Sequence, residues 1–196
     1  MVSLGEKNDI WLGLPTDTPE QELWAENYYD NELIPLAQEQ FCEVHAGMSL
    51  PETYGLFVLM GASWEKAAFV VRLRGPQSIH VICYPQDLPQ FHQLMRNLAW
   101  DDERCLCTRV NRGDAAAIYR VMKKQYDIWD SVGTTAIDYS GGSRSMMLAA
   151  AQAAGAMQLD GYAITSRYAE TQRRHIPGTE KLLQFPSVTS VLPDLA

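Results

Sequence analysis

From residue 54 onward, short apolar runs alternate with longer segments whose apolar positions recur at helical spacing. Short apolar runs between turn-forming residues are typical of buried strands, and the longer segments are typical of helices. The predicted strands are YGLFVLMG (54–61), SIHVICY (78–84), CLCTRVN (105–111), TTAIDYS (134–140), GYAITSRY (161–168) and KLLQF (181–185). The predicted helices between the first five strands are 63–75, 87–99, 114–129 and 144–158. Gly75 is expected to end the first of these helices, and Asp114 is expected to cap the third.

Strands that alternate with helices at this spacing form right-handed crossovers and a parallel sheet. The predicted fold class is therefore α/β: a Rossmann-like, mostly parallel sheet with helices on both faces, plus an acidic helical N-terminal segment.

That N-terminal segment differs from the rest in both pattern and charge. Thr18 is a predicted N-cap, with Pro19 at the first helical position and Gln21 completing a capping box, and Pro35 should break or kink the helix. Residues 1–46 carry ten acidic side chains and one lysine, whereas the remainder is nearly neutral. We therefore predict two parts, an acidic helical segment over 1–50 and a Rossmann-like domain over 51–196.

Composition narrows the functional classes. The 196-residue chain has a net charge of −8, no apolar run long enough to span a membrane and no signal-peptide pattern at its start, so a cytoplasmic location is expected. The four cysteines include no CxxC pair, and buried free thiols are favoured over zinc ligands or disulfides. Because the acidity belongs to the N-terminal segment, the rest of the chain can still offer a local positive pocket.

Ligands of open parallel sheets bind beyond the carboxyl ends of the strands, where the strand order reverses. Four loops qualify, and the richest in ligand-binding residue types is DYSGGSRSM (138–146). Gly141 and Gly142 permit positive φ and close backbone approach, Ser140 and Ser143 carry hydroxyl donors, and Arg144 adds a guanidinium. A phosphate or another anion at the start of the following helix is one interpretation, and a simple tight turn is the other.

Several familiar nucleotide and hydrolase motifs are absent. No GxGxxG follows the first strand, no acidic residue for a ribose follows the second, and neither a P-loop nor a GxSxG elbow occurs. His80 falls within a predicted strand and His92 on a predicted helix, where structural roles are favoured. Dehydrogenases, P-loop NTPases and serine hydrolases are therefore disfavoured.

The fourth strand and its loop nevertheless resemble a known motif. A fourth strand that ends in Asp, a small hydroxyl residue, two glycines, a hydroxyl residue, a basic residue and then Met is typical of the CARF domain, the CRISPR-associated Rossmann fold. The positions that match are Asp138, Ser140, Gly141, Gly142, Ser143, Arg144 and Met146. The resemblance covers roughly residues 52–185.

This resemblance implies a sensor of cyclic oligoadenylates, the second messengers of type III CRISPR antiviral defence. Direct binding of DNA is not expected.

 No cofactor and no metal are implied. CARF domains generally form homodimers, and the cyclic ligand lies across the two-fold axis, where identical contacts from both subunits meet identical AMP units. The Gly-Gly loop and Arg144 are then expected to take the phosphates, and the first-strand loop closes the other side. By position, the remaining ligand-binding candidates are Gly61, Ala62, Ser63, Tyr84, Asn111 and Tyr139.

The chain also departs from the family pattern. Arg144 stands where many members have a lysine, and the acidic first 50 residues are not part of the basic CARF unit. No RxxxxH signature of a HEPN ribonuclease occurs in the tail, so an effector domain or a partner protein is expected elsewhere.

Three functions stay open at this point. The first is a dimeric sensor that binds a cyclic tetra- or hexa-adenylate and regulates an effector. The second is a metal-independent ring nuclease, in which a ribose 2′-hydroxyl attacks the neighbouring phosphate with Arg144, Ser63 or Ser143 as catalytic candidates. The third is an unrelated Rossmann-like protein that binds another nucleotide or sugar phosphate at the same loops.

Overall fold

The computed structural model describes residues 2–100 and 103–187, and within them the chain forms two compact units. The first unit combines the N-terminal residues up to Met48 with Thr165–Lys181. The second combines Ser49–Ile164 with residues 182–187. The sequence division at residue 50 does not include this grouping of 165–181 with the N-terminal helices.

The second unit is built on a six-stranded sheet, with strand order β3-β2-β1-β4-β5-β8. Its strands are β1 (Gly55–Met60), β2 (Ser78–Cys83), β3 (Cys105–Arg109), β4 (Thr135–Asp138), β5 (Asp160–Thr165) and β8 (Lys181–Phe185). Its helices are α4 (Trp64–Arg74), α5 (Leu88–Leu98), α6 (Ala115–Trp129) and α7 (Arg144–Ala156). The pairs β1–β2, β1–β4, β2–β3 and β4–β5 are all parallel, which confirms the predicted Rossmann-like α/β fold.

Local sequence explains where these elements begin and end. All six residues of β1 are buried, as its uninterrupted apolar run predicts. Gly75 ends α4 in the left-handed conformation, with φ of 53°. Asp114 caps α6, and its Oδ1 accepts a hydrogen bond of 2.8 Å from the backbone N–H of Ala117, as the sequence predicts.

Helices cover both faces of this sheet. The pair α6 and α7 packs on the face that carries Phe57, Leu59 and Ile137, where Met122 and Ala150 complete a buried apolar cluster. The alternate residues of β1 point to the opposite face, on which α4 packs beside α5. Because both faces are covered, the central strand β1 is buried at all six positions, and the neighbouring β2 is buried at every position after Ser78.

The strand order creates a switch point between β1 and β4. The chain runs from β1 outward through β2 to β3, and then returns to β4 on the other side of β1. The connections after β1 and β4 therefore leave the same edge of the sheet toward opposite faces, which opens a crevice between them.

The first unit contains three α-helices and a small β-ribbon. The helices are α1 (Leu4–Leu12), α2 (Pro19–Tyr28) and α3 (Ile34–His45), a π-helical segment spans Tyr29–Leu33, and the ribbon pairs β6 (Tyr168–Ala169) with β7 (Arg174–His175). Thr18 and Gln21 form the predicted capping box at the start of α2. Pro35 lies in the first turn of α3, directly after the π-helical segment, so the predicted interruption is confirmed.

Arg174 of the ribbon ties the first unit together. Its guanidinium lies 2.8 Å from a carboxylate oxygen of Glu26 and 3.4 Å from one of Asp30, and it stacks over the ring of Tyr29 at 4.9 Å. The sequence predicted a single strand over 161–168 here, whereas β5 ends at Thr165 and the chain then enters the ribbon. No helix in the described part of the chain is long and apolar enough to cross a membrane.

Candidate functional site

Main-chain atoms form the floor of the crevice between the loops that follow β1 and β4. A Cβ atom added to Gly61 would overlap the carbonyl oxygen of Gly141, and one added to Gly141 would lie 2.6 Å from the carbonyl oxygen of Leu59. The loops after β1 and β4 are therefore in direct main-chain contact, as the predicted close backbone approach requires. Neither Gly141 nor Gly142 uses the positive φ that glycine permits, since the described glycines with positive φ are Gly75, Gly113 and Gly178.

Helix α7 starts from this floor with a formed cap. The Ser143 hydroxyl accepts a hydrogen bond of 3.2 Å from the backbone N–H of Met146. Arg144 is the first residue of the helix, its side chain is exposed, and it makes no ion pair within the described residues. The partial positive charge of the helix start and this guanidinium both favour an anion at this point.

Helix α4 starts at the same edge of the sheet without such a cap. Ser63 occupies the N-cap position, but its side chain makes no capping hydrogen bond. The residue is half-buried and the neighbouring Ala62 is exposed. The Ser63 hydroxyl and the first N–H groups of α4 therefore remain available as hydrogen-bond donors.

Tyr84 reaches the Gly-Gly loop from the end of β2. It is only 3% exposed, and its hydroxyl oxygen lies 3.0 Å from Ser143 Oγ and 3.2 Å from Ser145 Oγ. Arg112 covers its ring, with 5.4 Å between the guanidinium carbon and the ring centroid. The structure thus brings Tyr84 to the predicted site, but as a buried contact of the α7 start and not as an open face for a base.

Ser140 is also committed to the framework of the loop. Its backbone N–H donates to Asp138 Oδ1 at 2.9 Å, its hydroxyl donates to the same oxygen, and the hydroxyl oxygen accepts from the N–H of Ile164 at 2.8 Å. These bonds tie the end of β4 to β5. The Ser140 hydroxyl therefore has its proton engaged inside the protein.

Asp138, under this loop, is fully buried. Burial raises the pKa of its carboxyl to about 7, against the lowering effects of the Ser140 hydrogen bonds and of Lys66 in the first turn of α4. Its Oδ2 has no hydrogen-bond partner among the described residues. Near neutral pH the carboxyl group is consequently close to the midpoint of its titration.

Tyr139 and Asn111, the two remaining ligand-binding candidates, lie away from the hydroxyl contacts of Tyr84. Tyr139 packs against Phe185, with ring centroids 6.0 Å apart and an edge-on geometry, and its ring also lies against Gly161. Burial raises the pKa of Tyr139 to about 12. Asn111 is exposed at the end of β3, and its backbone carbonyl accepts a hydrogen bond from the N–H of Asp114. The structure brings neither side chain against the Gly-Gly loop by a hydrogen bond between described residues.

Sequence reasoning did not single out three residues that the structure adds to this region: Ser145, Arg112 and Lys66. Ser145 lies inside the motif, between Arg144 and Met146, and Arg112 lies in the loop that follows β3. Only contacts between distant strands distinguish them from other surface residues.

The arrangement is suited to binding and positioning an anion. His80, on β2, is 6% exposed and burial lowers its pKa to about 4, so it is neutral at pH 7. Its Nε2 lies 2.8 Å from Thr108 Oγ1, which fits the structural role predicted for it. Within residues 2–100 and 103–187, no three His, Cys, Asp or Glu side chains are grouped as a metal ion would require.

Comparisons with known proteins give fold-level likeness only. No family model matches the sequence, and none of the curated proteins does. Can2 from Sulfobacillus thermosulfidooxidans, solved in complex with cyclic tetra-adenylate (cA4), aligns over 65% of this chain and 39% of its own, at 12% identity and a TM-score of 0.47. MtNAS, solved in complex with MTA and tNA, aligns over 89% and 58%, at 11% identity and a TM-score of 0.40. The chain thus spans less than two thirds of either protein, and neither likeness assigns it a family or a ligand.

Proposed function

We propose that this chain is a sensor that binds a cyclic oligoadenylate, a tetra- or hexa-adenylate, and regulates a type III CRISPR effector. The observation that carries the proposal is the side-chain-free contact between Gly61 and Gly141 at the switch point. Two helices start from this contact, one with the unused hydroxyl of Ser63 and one with the exposed guanidinium of Arg144. A phosphate can approach such a surface closely enough to meet backbone N–H groups.

The geometry supports the binding of an anion, and the resemblance of the motif supports a cyclic adenylate as that anion. The loop that binds is the one whose residues resemble the CARF pattern, from Asp138 to Met146. In this structure Asp138 and Ser140 hold the loop to β5, while Gly141 and Gly142 form its contact with β1. The motif residues thus divide into a framework and a binding surface, which supports a site and not merely a tight turn.

A homodimer is part of this proposal, because the exposed face of α7 suits self-association. Leu148 is 70% exposed, and it lies one turn after Arg144 on the same face. Ala151 and Gly155 continue that face, and a Cβ added to Gly155 would meet nothing within 4 Å. Two copies packed through this surface would bring both Arg144 side chains toward a two-fold axis, where a cyclic ligand with two-fold symmetry can bind.

Regulation of an effector would use a second surface, and the N-terminal helices offer one. Leu23 and Trp24 on α2 are 58% and 54% exposed, and they stand among the carboxylates of Glu20, Glu22 and Glu26. An exposed apolar pair within an acidic surface is typical of a contact for a partner protein.

The test is calorimetric titration with cyclic tri-, tetra- and hexa-adenylate, with the oligomeric state measured by light scattering. We expect one ring to bind per two chains. Arg144→Gln should weaken binding about tenfold, the value of one charged contact of this kind, and Arg120→Gln on α6 is the matched control that should not. Failure of every ring to bind would refute the proposal.

Chromatography of each mixture after an hour separates a sensor from a ring nuclease. Recovery of intact ligand supports a sensor that does not cleave the ring. Linear products that disappear in Arg144→Gln would instead establish cleavage by transesterification, since the positioned 2′-hydroxyl and the stabilised phosphate are the requirements of that reaction.

A further inference from the structure

We infer that Arg112 is a second cationic contact for the anionic ligand, and that Tyr84 is the positioning residue that joins it to the start of α7. This inference rests on the proposed function, since it extends the same site to the loop after β3. Neither role follows from the motif, because both depend on contacts between segments that are distant in sequence.

The first step is the hydroxyl cluster beneath α7. The Tyr84 hydroxyl contacts Ser143 and Ser145, whose own oxygens are 3.2 Å apart. Ser143 also accepts the capping bond from Met146. Since all three hydroxyls contact one another, the buried end of Tyr84 fixes the first turn of α7 relative to β2.

The second step is the position of Arg112. Its guanidinium lies over the Tyr84 ring at a distance typical of a cation–π contact. Arg112 itself is exposed, and it makes no ion pair within the described residues. Gly113 follows with φ of 80°, a left-handed conformation that turns the chain sharply after Arg112.

The third step is the positive charge that Arg144 and Arg112 together bring to this region. Arg144 stands at the start of α7 and Arg112 stands on the ring whose hydroxyl supports that start. The Asp87 carboxyl is close enough for Arg112 to lower its pKa, although burial raises that pKa overall. Two guanidiniums whose segments both contact Tyr84, one at its ring and one through the Ser143 and Ser145 hydroxyls, match a ligand with at least two phosphate groups better than a monophosphate.

The experiment compares affinity and its salt dependence for cyclic tetra-adenylate and, as a base-free probe, tripolyphosphate. Arg112→Gln should weaken both about tenfold and reduce the slope of log affinity against log salt by about one. Arg112→Lys should restore the slope, because it restores the charge. The control Arg120→Gln should leave affinity and slope unchanged.

Tyr84→Phe separates positioning from charge. It keeps the ring under Arg112 and removes the hydroxyl contacts, so we expect weaker binding with an unchanged salt slope and, in thermal denaturation, a folded protein. A slope that falls as much as in Arg112→Gln would overturn the positioning role.

The two probes distinguish a failure of the proposed function from a failure of the role inferred for Arg112. If the wild-type protein binds tripolyphosphate but no cyclic adenylate, the proposed function fails, and the loss in Arg112→Gln still supports the second cationic contact. If Arg112→Gln binds both probes with wild-type affinity and slope, or if the wild-type protein binds neither probe, the role of Arg112 is refuted.

Discussion

Helices α4 and α7 start at the same edge of the sheet, each from a serine, and they use that serine differently. Ser143 caps α7 and contacts Tyr84 and Ser145, whereas Ser63 makes no capping bond to α4. One serine is part of the framework that shapes the loop, and the other is the serine that we propose as a ligand contact. Identical residue types at equivalent positions can therefore have opposite roles, decided by whether their hydrogen bonds are already satisfied.

The largest expected loss of stability comes from adding a side chain where Gly61 and Gly141 are in contact, because both helices start from this contact. Gly61→Ala places a methyl group against the Gly141 carbonyl, a backbone atom that cannot move without its loop, so the free energy of unfolding should fall by about 3 kcal/mol. Urea denaturation measures this fall. Gly47→Ala, where a Cβ meets nothing within 4 Å, is the matched control. Equal stability of the two variants would show that the loops are not in contact.

The next effect is a pH dependence of stability that originates under the α7 loop. The pKa of Asp138 is raised to about 7 in the folded protein, so the folded state binds a proton that the unfolded state releases above its own pKa of 3.8. Stability should therefore decrease as pH rises through the folded-state pKa, by about 3 kcal/mol between pH 5 and pH 8. Asp138→Asn should lose this part of the pH dependence. An unchanged profile in the variant would contradict the assignment.

The two serines provide the most direct test of the comparison. Ser143→Ala should lower the free energy of unfolding by about 1 kcal/mol, because a formed cap is lost. Ser63→Ala should change it by less than about 0.5 kcal/mol, since no bond is lost, and should weaken ligand binding instead. Denaturation and titration with cyclic tetra-adenylate, run on both variants, give the answer. Equal losses of stability would remove the distinction between the two helix starts.

The smallest effect on stability is expected for Arg144→Gln. The side chain is exposed and has no ion pair among the described residues, so unfolding should change by less than about 0.5 kcal/mol while binding weakens. A large loss of stability in this variant would mean that Arg144 belongs to the framework with Ser143.

Local sequence predicted the elements well where one physical cause dominates. The apolar run of β1, the capping box at Thr18, the cap at Asp114 and the glycine at position 75 each act within a few residues, so the structure confirms them. The end of β5 was wrong by three residues, because Tyr168 pairs with His175 in a ribbon that no local pattern marks.

The position of the candidate site in the fold was predictable from the sequence, but the hydrogen bonds of its hydroxyl groups were not. The Gly-Gly loop lies at the switch point because alternating strands and helices leave few arrangements, and that alternation is visible in the sequence. Which of its hydroxyls are free was not visible. Ser140 is bonded to Ile164, 24 residues away, and Ser143 to Tyr84, 59 residues away.

The sequence by itself determined the order of strands and helices, the acidic character of the N-terminal helices and the motif that nominates the loop after β4. Only the tertiary structure decided that Tyr84 is buried beneath α7, that Arg112 lies over its ring and that Ser63 makes no capping bond to α4. The reason is physical: propensity and capping act between neighbours in the chain, whereas burial and hydrogen-bond satisfaction depend on which segments the folded sheet brings together.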